Sequence, residues 1–273
     1  MLTSFPGYRI TEKLYESANS FVYRGYRIEN SQSIILKILK PTCPSPERIA
    51  WFKPEYETTQ SFTQKGVVKA YGLENQLYQW IMVLEDFGGE SLNCVIQNKP
   101  FALAEFLPLA IQVVEILGQV HQQHVIHNDI NPSNIVWNQI TKQVKLIDFG
   151  ISTTLSRENS TFRNPNLLEG TLAYISPEQT GRMNRAIDYR TDFYSLGVTF
   201  YELLTGQLPF PTQDALELVH CHLARQPTPP DEHKPDIPSV LSEIVLKLVS
   251  KNAEDRYQSA HGVKADLEEC LQQ

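Results

Sequence analysis

The chain has 273 residues, 41% of them hydrophobic and 20% charged, the composition of a folded protein of one large or two medium domains rather than of a disordered chain. Its formal charge of -7 argues against a general binder of nucleic acid or anionic membrane, which needs a basic surface for phosphate contacts. Cys43, Cys94, Cys221 and Cys270 are widely separated with no C-x-x-C pair, the first residues lack the basic start and apolar centre of a signal peptide, and no uninterrupted apolar run has the length of a membrane span, so a reducing cytoplasm is the expected compartment.

Three short strands come first, Tyr8 to Glu16, Phe21 to Arg27 and Ser33 to Lys40, the last carrying the β-branched run Ile34-Ile-Leu-Lys-Ile-Leu39. Glu47 to Phe62 reads as a helix, in which Pro54 should force a kink or a restart by removing a hydrogen bond. Strands follow at Val67 to Leu73 and Trp80 to Glu85, the second running into Asp86-Phe-Gly-Gly89, a connector able to bend. Leu103, Phe106, Leu107, Ala110, Ile111, Val114 and Leu117 recur at helical steps and predict a long amphipathic helix from Ala104 to His124, with Pro108 tolerated near its first turn. His121 and His124 at its end have no third metal ligand near in sequence and read as helix-face residues. From Ile151 to Gly170 the chain is polar without apolar period, the pattern of a mobile loop. Asp192-Phe-Tyr-Ser-Leu-Gly197, continued by Phe200, Leu203 and Leu204, predicts a buried helix opened by an acid placed to cap it or to brace a neighbouring loop. Pro227 to Pro238 reads as a connector between helices, and Ser259 to Leu271 as the final helix.

The densest chemistry lies in Val125-Ile-His-Asn-Asp-Ile-Asn-Pro-Ser-Asn-Ile-Val136. Pro132 bars a continuous helix between Asp129 and Asn134, and Ile135, Val136 and Trp137 follow as a short strand. Further on, Lys145-Leu-Ile-Asp-Phe-Gly150 is a β-run ending in a carboxylate and a glycine free to turn. A carboxylate base, an amide oxygen and a second carboxylate at these offsets suit a hydroxyl acceptor and Mg²⁺-bound phosphates.

These two stretches resemble the H-R-D-L-x-x-x-N catalytic loop and the D-F-G of protein kinases. The resemblance runs from about Leu14 to the final helix and implies an α+β, two-lobe protein-kinase-like fold: an N-lobe of antiparallel sheet plus one helix over residues 1-84, a hinge at 85-90, and a mainly helical C-lobe over 91-273. By the same resemblance Lys37, in Ile34-Ile-Leu-Lys37, matches the V-A-I-K lysine that grips nucleotide phosphates, and Glu55 its helix partner, with Glu57 as the alternative that Pro54 leaves open. Leu14, Tyr15, Ser17, Ser20, Val22 and Ile35 would line the nucleotide, beside Leu84 as gatekeeper, while the carbonyl of Glu85 and the N–H of Phe87 would meet the adenine edge. Asp129 would accept the hydroxyl proton with Asn131 beside it, and Asn134 and Asp148 would hold Mg²⁺. Gly170-Thr-Leu-Ala-Tyr-Ile-Ser-Pro-Glu178 resembles the P+1 loop and A-P-E, Thr171 looks more like serine/threonine than tyrosine kinases, and Arg256 matches the arginine that pairs with the A-P-E glutamate, here Glu178. The implied activity is ATP- and Mg²⁺-dependent phosphoryl transfer to Ser or Thr of a protein substrate in bacterial signalling. The wording of the sequence is similar to the N-terminal kinase domain of large bacterial multi-sensor signalling kinases, which implies further domains of a longer signalling chain as partners.

The match breaks at four places. Aligning Val22 with the valine of G-x-G-x-x-G-x-V puts Tyr15, Ser17 and Ser20 in the three glycine positions, where the serine hydroxyls could donate to phosphate oxygens. Ile35 replaces the alanine over adenine. Asn128 replaces the arginine before the catalytic aspartate, and Asn131 the lysine two residues after it, so the site loses two cations. A nucleotide-binding pseudokinase acting as a regulatory module therefore stays open, as does a small-molecule kinase, although Thr171, Glu178 and Arg256 suggest a peptide platform that a small acceptor does not need. Arg182, Arg185 and Arg190 either face an acidic partner or are solvated. With no charge at Asn128, a phosphate on Ser152, Thr153, Thr154, Ser160 or Thr161 would find no guanidinium there, leaving Arg157 and Arg163 as local cations, so loop phosphorylation should not be the main on-switch.

Overall fold

Alternating burial along β3 (Ser33–Leu39), broken only at its last residue, organises the first part of the molecule. The computed structural model describes residues 5–40, 46–76, 78–97, 99–154, 172–183 and 185–272. They form two compact units, the first taking the chain up to Gly89 together with Asn138–Ile151, the second taking Glu90–Trp137 and the chain from Ser152.

In the first unit β1 (Tyr8–Glu16), β2 (Ser20–Arg27), β3, β4 (Ala70–Gln76) and β5 (Gln79–Glu85) make an antiparallel sheet in the order β1-β2-β3-β5-β4. Ile34, Leu36 and Ile38 point to one face, where they pack with Phe5, Tyr8, Ile10, Ile81 and Val83. The other face belongs to the residues between them. Met82 on that face packs with Leu39 and with Phe52 of α1 (Pro46–Ser61). Lys37 stands directly opposite Met82 in the ladder, so register alone turns its ammonium toward α1. The helix runs unbroken through Pro54, against the expected restart. Pro54 and Ala50, whose carbonyl loses its helical donor, are both exposed, and water can take the missing bond. Phe52, Glu55 and Thr59 form the buried stripe on the opposite side of that helix.

Below the sheet, the Val68 N–H donates to the Leu146 carbonyl (3.1 Å) and the Leu146 N–H to the Gly66 carbonyl (2.9 Å), which fixes the run leading to Asp148 within this unit. The strand expected at Val67 to Leu73 lies later, at Ala70–Gln76.

The second unit is mainly helical. Its Leu103–Gln122 helix is long and apolar enough by length and composition to cross a membrane, but Phe106, Leu109, Ala110, Val113, Val114, Leu117 and Val120 bury its stripe inside the unit. Phe106 meets Phe200 of the Arg190–Thr205 helix edge-on at 5.2 Å between ring centroids. The polar segment after Ile151 is not all loop, because Thr153–Thr154 pairs antiparallel with Val125–Ile126. Strand pairing there is set by backbone bonds, which residue polarity does not reveal. Residues 155–171 lie outside the described residues, and with them Arg157, Ser160, Thr161, Arg163, Gly170 and Thr171, as does Cys43.

One ion pair ties the ends of this unit together. Arg256 grips Glu178 with two parallel bonds of 2.6 and 2.9 Å, and its remaining donors reach the carbonyls of Ser250, Arg190 and Lys251. Both side chains are almost fully buried, at 0% and 5% exposure. Burial pushes the Glu178 carboxyl up, yet the guanidinium outweighs it and holds the group below its ordinary value. Removing the arginine alone strands a buried carboxylate, so Arg256→Met should cost about 3–5 kcal/mol in urea unfolding, and Arg256→Met with Glu178→Leu less than the sum of the single changes. Because the folded pKa is lowered, this contribution is complete above the ordinary carboxylate range and fades as pH falls below it. Glu178→Gln should flatten the acid side of the stability profile; an unchanged profile would show that the pair contributes nothing.

Candidate active site

On the first unit, the side chain that register turns toward α1 finds its partner one turn past Phe52. Lys37 Nζ donates to Glu55 at 2.6 Å and to Asp148 at 3.0 Å. Glu57, the alternative, is exposed. Burial works against the Lys37 ammonium, but the Asp148 and Glu55 charges prevail and its pKa lies above the ordinary lysine value. Burial pushes the Glu55 carboxyl up to about 7, opposed by Lys37 and reinforced by the Asp148 charge. Two carboxylates thus share one ammonium, an arrangement that a cation beside Asp148 would complement. Asp148 holds a left-handed backbone (φ 64°), and its Oδ1 accepts the Gly150 N–H at 3.2 Å. A Cβ on Gly150 would come within 3.0 Å of that same oxygen, which is why glycine stands there. Phe149 is buried against Phe62, ring centroids 4.9 Å apart, and anchors the turn.

The β1–β2 turn is closed by a serine. Ser17 Oγ accepts the N–H groups of Asn19 (3.2 Å) and Ser20 (2.9 Å) and lies 3.1 Å from Ser20 Oγ, while the Ser17 N–H donates to the Ser20 carbonyl at 2.9 Å. Ser20 is buried, and Ser17 Oγ accepts two N–H groups of the turn and lies near Ser20 O at 3.4 Å, so both hydroxyls have partners within the loop. A short side chain hydrogen-bonding its own backbone, the Ser-x-x-Ser pattern, was the available signal. The register slips between Lys13 and Tyr15, leaving Leu14 in a bulge; Leu14 and Tyr15 are exposed at 39% and 61%. Val22, opposite Lys37, and Ile35 and Leu84, opposite each other, are half-buried.

On the second unit, Asp129 is held by amides. Asn131 Nδ2 donates to Asp129 Oδ1 at 2.9 Å and Asn134 Nδ2 to Oδ2 at 2.8 Å, and both also reach its carbonyl. Asn131 Oδ1 accepts the Ser133 N–H at 2.9 Å, so this side chain shapes the loop as well as orienting the carboxylate. What Asn134 has to offer a cation is its amide oxygen. The loop is braced from beneath by fully buried Asp192, whose carboxylate accepts the N–H groups of His127 (2.9 Å) and Asn128 (2.8 Å) and meets His121 Nε2 at 2.8 Å. Of the two roles open to that acid, bracing is the one seen; the first N–H of its helix, that of Arg190, is accepted by Asp188 Oδ1 at 2.8 Å. Asn128 has a left-handed backbone (φ 66°) and donates from Nδ2 to Thr153 Oγ1 at 3.0 Å. Its carbonyl accepts Gln179 Nε2 at 2.9 Å, a support that sequence reasoning missed. Arg185 pairs with Glu254, and Arg190 with Asp188 at 2.7 Å, so two of the three clustered arginines are answered within the chain; Arg182 is exposed.

The family model for the protein kinase domain matches residues 8–267. The chain belongs to the protein kinase family. It is 31% identical over 267 residues to a probable serine/threonine-protein kinase of Clostridium perfringens, covering 96% of this chain and 38% of that protein. It is 29% identical to the serine/threonine-protein kinase PrkC of Bacillus subtilis over 95% of this chain and 40% of that protein. A hybrid signal transduction histidine kinase of Dictyostelium discoideum is 35% identical over 60% of this chain and 7% of its own length. The kinase domain thus spans less than half of these relatives.

Within that family, the glycine-free turn has a measurable consequence. In this kinase domain the N–H groups of Asn19 and Ser20 already have an acceptor inside the loop. Ser17→Gly removes that acceptor and restores backbone freedom, and affinity for Mg-ATP, measured calorimetrically, should rise about tenfold given the strength of N–H bonds to phosphate. Unchanged or weaker binding would mean that the closed turn is itself the phosphate lid.

Proposed function

We propose that this domain is a serine/threonine protein kinase that transfers the γ-phosphoryl of ATP to a hydroxyl of a protein substrate, in bacterial signalling within the cytoplasm. The observation that carries the reading is Lys37 between Glu55 and Asp148, an ammonium fixed by strand register beside two carboxylates. The Asp148 carboxylate on the first unit and the Asn134 amide oxygen on the second are each hard oxygen donors of the kind Mg²⁺ takes. Bound Mg-ATP would supply the phosphoryl group and the neutralising charge. Lys37 would steady the nucleotide phosphates, with Glu55 keeping its ammonium in place. Asp129 would orient the acceptor hydroxyl and take its proton, its own rotamer set by Asn131 and Asn134. Asn131 and the Asn134 amide add hydrogen bonds but no positive charge, so catalysis rests on positioning.

A second reading, a nucleotide-binding regulatory module without transfer, is favoured by one observation, the self-closed Ser17 turn. Incubation with Mg-ATP separates the two. Phosphate on the protein or on a generic Ser/Thr substrate, read by intact mass, supports the enzyme; calorimetric binding without transfer supports the module. For the enzyme, Asp148→Asn should abolish transfer and Lys37→Met should reduce it to a few per cent or less, on the order of the loss from removing one electrostatic stabiliser. Wild-type rates in Asp148→Asn would refute the role given to that carboxylate.

Regulation follows from Asn128. Its amide holds Thr153 by a neutral bond that requires no phosphate. Phosphatase-treated protein should keep most of its activity. A large loss on dephosphorylation, restored by preincubation with ATP, would show that the segment needs charge after all.

A further inference from the structure

We propose that Asn138 is a specificity-determining residue of the adenine site, acting by occupying the backbone carbonyl of Phe87 and withholding it from bound ligands. The inference rests on the reading of residues 85–89 as the strap that faces the purine. Asn138 is 8% exposed and divides its side chain between two tasks. Its Oδ1 accepts the N–H groups of Ile140 and Thr141, each at 3.0 Å, and its own N–H donates to the Gln143 carbonyl at 2.9 Å, so it builds the turn of residues 138–143. Its Nδ2 then donates to the Phe87 carbonyl at 2.6 Å.

The strap is shaped for this bond. Gly88 has a left-handed backbone, and a Cβ there would lie 3.1 Å from Asn138 Nδ2, so the glycine both makes the turn and leaves room for the amide. Asp86 Oδ1 accepts the Gly88 N–H at 2.9 Å, and its Oδ2 takes Ser33 Oγ at 2.7 Å and Arg24 Nε at 3.0 Å. Arg24 Nη2 reaches the Gly89 carbonyl at 3.2 Å, and the Glu85 N–H donates to the Lys69 carbonyl at 2.9 Å. Lys145 lies 5.2 Å over the Phe87 ring and bonds the Glu85 carboxylate at 2.6 Å. The Phe87 and Gly89 carbonyls and the Gly88 and Glu85 N–H groups are thus bonded within this chain, while the N–H of Phe87 has no hydrogen-bond partner among the described residues.

Adenine offers the strap one donor, its 6-amino group, and one acceptor, N1, and neither calls on the Phe87 carbonyl. A purine with an additional 2-amino group offers a second donor on the far side of N1, and that donor must share with Asn138 Nδ2 the one carbonyl it would meet, at a weaker and bent bond. The site therefore distinguishes purines at the 2-position by a hydrogen bond already made, with no bulk in the way.

The test compares calorimetric Kd values for Mg-ATP and for Mg-2-amino-ATP in the wild type and in Asn138→Asp, which keeps an oxygen for the Ile140 and Thr141 N–H groups and removes the donor. In the wild type 2-amino-ATP should bind no tighter than ATP. In Asn138→Asp the ratio should move toward 2-amino-ATP by about fivefold, the worth of one hydrogen bond. A merely structural role for Asn138 would shift both affinities together and leave the ratio alone. Wild-type protein that already prefers 2-amino-ATP fivefold overturns the proposal without any variant, and so does a ratio unchanged in a folded Asn138→Asp. Binding of neither nucleotide to the wild type is a different failure, because it removes the nucleotide-site reading itself and this proposal with it.

Discussion

The first unit depends on one half-buried ammonium. Lys37 is fixed by its place opposite Met82, and the packing of Met82 on Phe52 brings α1 to it. Glu55 then answers it at 2.6 Å and Asp148 at 3.0 Å. Taking these charges from water is costly, and the cluster is tolerable only because its geometry is good and its parts are held from outside. The holding elements are apolar: Leu39, Phe52 and Met82 on one side, Phe62 against Phe149 on the other. The sharing of one ammonium by two carboxylates is the feature that makes this a site and more than a brace, since burial and Asp148 push the Glu55 carboxyl up to about 7 and a cation near Asp148 would draw it back.

The second unit holds its carboxylate by amides. Asp129 is oriented by two neutral amides, and its loop hangs from the Asp192 carboxylate by two backbone N–H bonds. A buried carboxylate that accepts several N–H bonds is satisfied in its charged form and becomes a rigid anchor. That anchor sits in the first turn of a helix whose residues are nearly all buried, so the loop inherits the stiffness of the core.

Much of this was legible in the chain because period and order carry it. The β-branched run Ile34-Ile-Leu-Lys-Ile-Leu39 announced a strand, Lys37 was found by its likeness to the family motif, and Asp129, Asn134 and Asp148 announced themselves by type and spacing, whereas the face Lys37 takes came only with the ladder. Asp192 was readable as a brace because an acid opened an otherwise apolar helix. Pro54 misled, since its cost depends on whether water reaches the orphaned carbonyl, and exposure is a tertiary fact. The strand expected at Val67 to Leu73 came three residues later, because Val67 and Val68 bury themselves beside Leu146 instead of joining the sheet. The Ser17 turn was marked only by its Ser-x-x-Ser spacing, and the Asn138 bond was invisible, for a shared reason. Each is a side chain bonding a backbone group, and such bonds leave no periodic mark in a sequence.

The departures from the family pattern share one physical sense. Where the family has glycines whose N–H groups wait for phosphate, Ser17 supplies an acceptor from within. Where it has an arginine that waits for a phosphorylated loop, Asn128 bonds Thr153 directly. Where it has a lysine, Asn131 bonds Asp129 and Ser133. Each replacement exchanges a group that is ordered by a ligand for one that is ordered by the fold. The conformational entropy lost in fixing these segments is then taken at folding instead of at binding. Two effects oppose each other in consequence: preorganisation raises affinity, while every backbone donor already bonded is one fewer for the nucleotide. In the β1–β2 turn the second effect is the one at stake, because the donors themselves are bonded within the loop. Around Asp129 the first dominates, because the amides spend their donors on the very carboxylate whose position matters.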